Sequence, residues 1–237
     1  MSGALQSLQA WPITWLLITL AAYVAAVALY RRSGSHPLLI PVLTGVTLVV
    51  ALLLLTGTSY ETYSAAAQPL TLLIGPATVA LAVPLFAQRQ RIRRLWRPLA
   101  IALLCGCTAA IVSALGLAWA LGGTRETLLS LAPKSATMPI ALPVAEQVGG
   151  LPSLTAVGVA LTGIAGAVLA SPLARLLGTQ NAAVRGFASG VTAHAIGTAR
   201  ELQNSPTAGA FAALGMGLNG VATAVMTPLF IAALGWL

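Results

Sequence analysis

Apolar stretches about twenty residues long recur along this chain, separated by short segments in which most of its arginines collect. A helix needs about 20 such residues to cross the hydrocarbon of a bilayer. The runs cover approximately Trp11–Tyr30, Pro37–Thr56, Pro69–Ala87, Pro98–Leu121, Pro152–Leu177 and Pro206–Leu237. Two further stretches, about Thr127–Val148 and Arg185–Gln203, are apolar but carry charges and helix breakers. The expectation is an all-α, polytopic transmembrane helical bundle of six spans plus two broken or re-entrant segments, a single membrane domain over residues 1–237. Ala77–Leu85 aligns without gaps to Ala136–Val144 with four identities, which raises a possible internal repeat.

Only 7% of the residues are charged, against about a quarter in a soluble domain, so the chain cannot cover itself in water. Eleven Arg and one Lys face four Glu, for a net charge of +8. In a soluble protein that excess suggests nucleic acid. Here Arg31 and Arg32 follow the first run, and Arg89, Arg91, Arg93, Arg94 and Arg97 follow the third, as the positive-inside rule requires. No nucleic-acid partner is expected. If each run crosses once, both clusters share one face of the cell (inner) membrane, the cytoplasmic one, with the N-terminus outside. Beyond Leu121 two topologies remain open. A re-entrant Thr127–Val148 leaves the Arg175/Arg185 loop inside, whereas a full crossing puts it outside. Met1 to Trp11 shows no sign of a cleaved signal, and Cys105 and Cys107, at i, i+2 with no second pair, read as buried filler rather than a metal site.

Chemistry concentrates in the two interrupted segments. Pro133, Pro139 and Pro143 each remove a backbone donor and clash with the preceding turn. One half-helix is therefore expected to end near Pro133 and another to start near Thr137, with the Thr137 hydroxyl as cap and Pro139 in the first turn. Broken backbone at membrane depth survives only inside protein or beside a wet cavity. A helix N-terminus there favours anions, and Lys134, with Ser135 and Thr137, completes a candidate carboxylate site. The alternative is a pair of interfacial helices with Lys134 snorkelling to headgroups.

In the second segment Gly190, His194 and Thr198 recur at i, i+4 and share a face if helical. His194 is a candidate proton carrier or substrate donor, with Thr192 and Thr198 as hydroxyl contacts and Glu146 as a second candidate for proton coupling. Arg200 has three candidate partners: a substrate carboxylate, Glu201 or Glu146. Ser205 and Pro206 should cap the last helix, which then runs antiparallel to the His194 segment, with Gly209, Ala213 and Gly217 as a small-residue ridge. Asn219 in that helix and Thr78 beside Pro76 are further substrate-contact candidates. With no Asp, and His36 and His194 far apart, no enzyme constellation, metal site or cofactor is expected.

Pro133-Lys-Ser-Ala-Thr-Met-Pro-Ile-Ala141, Gly149-Gly-Leu-Pro-Ser-Leu-Thr-Ala156, Leu161-Thr-Gly-Ile-Ala-Gly166, His194-Ala-Ile-Gly-Thr-Ala-Arg200 and Gly75-Pro-Ala-Thr-Val-Ala-Leu-Ala-Val-Pro84 resemble the LrgB/CidB family, over nearly the whole chain. The resemblance implies one of two functions. Bacterial members were named as holin- or antiholin-like regulators of murein hydrolase export and autolysis, working beside a smaller LrgA/CidA-type partner. A plant plastid relative fuses both parts and exchanges glycolate and glycerate, and some bacterial pairs import pyruvate. The residues favour a secondary transporter of small monocarboxylates with alternating access, Lys134 and Arg200 holding the carboxylate. With no extra span before Trp11, a separate LrgA/CidA-like partner is expected by analogy. The Gly/Ala ridges suggest a homo-oligomer.

Overall fold

The computed structural model describes residues 12–34 and 36–236, all helices and connections, with no strand among the described residues. Met1 to Trp11, where no signal cleavage is expected, lies outside them. Contacts divide the chain into two units, one up to Ala82 and one from Val83, where the sequence pattern alone reads as a single membrane domain.

The first unit comprises α1 (Pro12–Arg32), a 3-10 turn (Pro37–Leu39), α2 (Pro41–Thr56), α3 (Tyr60–Leu72) and α4 (Ile74–Ala80); α5 (Ala82–Ala87) begins at the boundary. Pro41 opens α2, and Gly57, at φ 65°, closes it. Ser59 caps α3 by accepting from the Thr62 amide, so the third apolar run starts at Tyr60 rather than Pro69 and continues with brief turns to Ala87. Trp15 is buried edge-on against Tyr63, ring centres 6.0 Å apart. Among the described residues five helices are long and apolar enough to span, and α2, at 16 residues or about 24 Å, is a shorter apolar helix. The aligned stretches Ala77–Leu85 and Ala136–Val144 differ locally. The first lies in the near-continuous α4–α5 run, while the second starts in extended backbone at Thr137.

The second unit holds α6 (Arg89–Arg94), α7 (Trp96–Ala120), α8 (Arg125–Leu131), α9 (Met138–Gln147), α10 (Pro152–Leu176), α11 (Ala182–Asn204) and α12 (Pro206–Ala233). Helices α7, α10 and α12 are of spanning length. Of the others, α8 with α9 forms one hairpin and α11 forms a second. In the first, α8 and α9 have seven and ten residues, about 10 and 15 Å, far short of the roughly 30 Å hydrocarbon. The Leu151 amide donates to Ser130 Oγ (2.7 Å) and Thr155 Oγ1 donates to the Ser130 carbonyl (2.8 Å). After leaving Ser130 the chain has therefore returned beside it. Gly150 allows this, because a Cβ there would lie 2.7 Å from the Ser130 amide nitrogen.

The second hairpin is hidden within α11. His194 sits at φ 39°, ψ −127°, a conformation no helix contains. Arg185 Nε and Glu201 Oε2 are 3.1 Å apart although sixteen residues separate them. In a straight helix they would stand about 24 Å apart. The chain thus runs up to His194, reverses, and runs back.

The two hairpins enter from opposite ends. The first is rooted beside the C-terminal ends of α7 and α12, where Arg125 donates to the Trp236 carbonyl and Gly123 abuts Ala118. The second is rooted at the other end, where Ala183 and Phe187 pack on Leu95, Leu99 and Phe211, and the Arg91 guanidinium lies 5.6 Å over the Phe211 ring. Thr127–Val148 is consequently re-entrant, and Arg175 and Arg185 fall at the same end as the Arg89–Arg97 cluster, the arrangement the charge rule prefers. Charge exchange tests the reversal in α11. The single change Arg185→Glu should cost about 3 kcal/mol, the low end for breaking a buried pair because Arg185 is a quarter exposed. Combining it with Glu201→Arg should recover most of that in a detergent melt; no recovery would mean that the two positions are not neighbours.

Candidate functional site

Both hairpin tips end at the middle of α10. Val159 of that helix packs its side chain against Ala136 and Ala141 of the first hairpin. Its carbonyl accepts from His194 Nε2 at 3.0 Å, at the tip of the second. A carbonyl only accepts, so the bond assigns the ring proton to Nε2 and leaves Nδ1 as the exchangeable nitrogen.

Three glycines of α10 dock the tips. A Cβ at Gly158 would meet Leu131 Cδ2 at 2.9 Å and Lys134 Cβ at 3.7 Å; one at Gly163 would lie 2.5 Å from His194 Cε1; one at Gly166 would lie 2.8 Å from Ala193 Cβ. From the other side, the centre of α12 holds the first tip. Asn219 Nδ2 donates to the Ser135 carbonyl (3.0 Å), satisfying a carbonyl freed by the break, and Gly220 admits Ile140.

The tips carry partial charge. The first arm of each hairpin delivers a helix C-terminus to the centre, and the second arm departs from an N-terminus, at Met138 and at Ala195. Thr137 occupies the cap position of α9 with extended backbone, yet its hydroxyl makes no capping bond, contrary to expectation. Formal charge is one-sided here. Lys134 is half-buried, and among the described residues the ion pairs are Arg185–Glu201 and Arg200–Glu201, neither involving it.

The other candidates divide by position. Ser135 and His194 are buried at the tips, and Thr198 is buried just behind, its hydroxyl donating to the His194 carbonyl (2.8 Å). Asn219 is buried with Oδ1 unpartnered. Arg200 is not beside Lys134. It donates to Ser171 (2.7 Å) and lies 3.7 Å from Glu201, with Nε and Nη1 lacking hydrogen-bond partners. Ser171 is thirteen residues from Gly158, about 20 Å along α10. One small carboxylate therefore cannot bridge both cations in this conformation, and of the three partners open to Arg200 the structure shows Glu201. Glu146 is exposed near the root of the first hairpin, at the far end from Glu201. Thr192 is exposed, bonded to the Ala188 carbonyl, and faces an apolar groove rather than the tips. Thr78 lies in the first unit, exposed, its hydroxyl bonded to the Ile74 carbonyl.

A family model described as the LrgB-like family matches residues 19–233. The chain belongs to the LrgB-like family. It is 37% identical to the uncharacterized protein YxaC of Bacillus subtilis over 91% of its length and 94% of the relative's. An uncharacterized protein of Haemophilus influenzae is 32% identical over 90% and 92%. The antiholin-like protein LrgB of Bacillus mycoides is 26% identical over 94% and 97%. No solved structure matches. Of the five segments on which the resemblance rests, four fall in the two hairpins and on α10, and the fifth, Gly75–Pro84, lies in α4 and α5. Sequence reasoning missed Gly158, Gly163 and Val159 as parts of this site. The Gly163/Gly166 pair inside an apolar helix was the available signal, since such pairs let another backbone approach.

Glycine docking is testable. Gly163→Ala should displace the His194 ring and cost about 1–3 kcal/mol, the usual penalty of overpacking, while Gly217→Ala, with nothing within 4 Å of its Cβ, should melt like the parent. Equal melting of the two variants, with unshifted imidazole NMR signals in Gly163→Ala, would contradict the docking.

Proposed function

We propose that the protein is a secondary transporter of small monocarboxylates in the cell membrane, with its arginine-rich face cytoplasmic and its N-terminus outside. One observation carries this reading: two broken hairpins, entering from opposite ends, dock their tips on the same helix, α10, and the first tip carries Lys134, a cation with no ion-pair partner among the described residues. An ionisable group at membrane depth needs a counter-ion, and the N-termini of α9 and of the Ala195 arm add positive potential at the same place. A small 2-hydroxy or 2-oxo acid such as glycolate, glycerate or pyruvate fits that demand. Opposed half-helices at the midplane are also the geometry on which alternating access operates.

In this proposal Lys134 holds the carboxylate at the tips, with Ser135, Thr137, Thr198 and Asn219 Oδ1 as polar contacts. Arg200 acts at a separate station nearer the arginine-rich end, where it meets the anion before or after Lys134. His194 carries a coupled proton on Nδ1. Opening one hairpin at a time would expose the tips to one side. A homo-oligomer and a smaller LrgA/CidA-like partner belong to the same proposal.

The antiholin-like designation of the B. mycoides relative favours a second reading, an antiholin-like regulator of murein hydrolase export and autolysis. Proteoliposomes separate the two. The transporter reading predicts saturable uptake of labelled glycolate or pyruvate with a trapped dye retained. It also predicts that Lys134→Ala lowers uptake about 10- to 100-fold, the weight of one charge-assisted hydrogen bond. No uptake by folded protein, together with lysis control in cells that survives Lys134→Ala, would favour the regulator.

A further inference from the structure

Alongside the first arm of the second hairpin runs a groove of about 390 Å³, bounded by α7 and α11 and lined by Leu99, Ala102, Val184, Phe187, Ala188 and Phe211 among others. Its outer wall is open: among the described residues Ala102, Val184 and Ala188 are exposed. In a membrane protein such a wall meets lipid. What distinguishes this groove from an ordinary helix face is its arginine-rich end. Leu95 and Pro98, which line it, are interleaved with Arg94 and Arg97, and the Arg91 guanidinium sits 5.6 Å over the ring of Phe211, itself part of the lining.

Among the described residues those arginines make no ion pair. The ion pairs among the described residues use Arg185 and Arg200 alone, both with Glu201, while Glu126 and Glu146 lie at the opposite end of the unit. Arg97 packs on Trp96, a stacked arrangement that leaves guanidinium edges open for phosphate oxygens, while Arg89 lies over Phe86 and donates to its carbonyl (3.2 Å).

We propose that this groove is a specific site for one anionic phospholipid, its acyl chain along α7 and the hairpin arm, its phosphate on Arg91 and Arg94. Apolar volume and uncompensated positive charge, at one end of the same concavity, match the two halves of such a molecule. The hairpin arm that forms one wall leads directly to His194, so the bound lipid braces the element whose tip docks on Gly163.

Native mass spectrometry of the purified full chain, after exchange into nanodiscs of equal phosphatidylglycerol and phosphatidylcholine, tests this. The wild-type protein should retain one phosphatidylglycerol at about tenfold preference over phosphatidylcholine. Arg91→Gln with Arg94→Gln should bring that ratio near one, since each basic side chain at a membrane surface contributes a few-fold. Filling the groove with Ala102→Trp, or with Ala188→Leu if the first fails to fold, should remove the retained lipid without changing oligomeric mass. Equal retention of the two lipids by the wild type, or undiminished retention in a folded groove-filling variant, would overturn the proposal. So would a change of oligomeric mass instead of lipid count, which would assign the groove to a protein partner.

Discussion

A peptide backbone in hydrocarbon has nowhere to hydrogen-bond except to protein. A chain that enters the membrane, stops halfway and returns must therefore hide the unpaired groups of two helix ends at the deepest point of its path. The second unit does this twice. It solves the problem by letting each broken tip lean on an intact helix and by sharing one such helix between both tips. Asn219 of α12 takes the Ser135 carbonyl, Thr198 takes the His194 carbonyl, and His194 itself takes the Val159 carbonyl of α10. The glycines of α10 follow from the same constraint, since a tip that must bond to a helix backbone has to reach it.

Much of this was legible in the residues. Five of the six apolar runs recur as helices within a few residues, and the third begins earlier, at Tyr60, because length and hydropathy decide what can span. The three prolines around Lys134 announced the first break, and the Asn204-Ser-Pro206 turn announced the antiparallel return of α12, capped by Ser205 as expected. The second reversal was less legible. Ala182–Asn204 contains no proline, its glycines suit packing as well as turning, and the residue at the bend is a histidine, a side chain that rarely adopts positive φ. Its i, i+4 pattern assumed a helix that does not continue. Arg200 illustrates a different limit: sequence places a charge in a segment, but the level at which its guanidinium sits depends on which way the segment runs.

On the proposed reading, the same features that make the tips costly to build make them usable. A lone cation, two helix N-termini and a histidine with one free ring nitrogen lie at two hairpin tips that dock on one helix, and each hairpin is rooted at a different end of the unit. The Arg185–Glu201–Arg200 cluster holds the root of one hairpin, so motion of that arm as a unit requires no unravelling of its base. An antiholin-like role makes no comparable use of opposed tips, although it draws support from the relatives' names.

Opposed entry of the hairpins is the central claim, and thiol accessibility tests it most directly. In a background with Cys105 and Cys107 replaced by Ala, single cysteines at Gln147 and Gln203, both exposed near the two hairpin roots, are treated with a membrane-impermeant maleimide in sealed, uniformly oriented vesicles. The account predicts that one of them reacts only from the outer side and the other only after the membrane is opened. Labelling of both from the same side would contradict it.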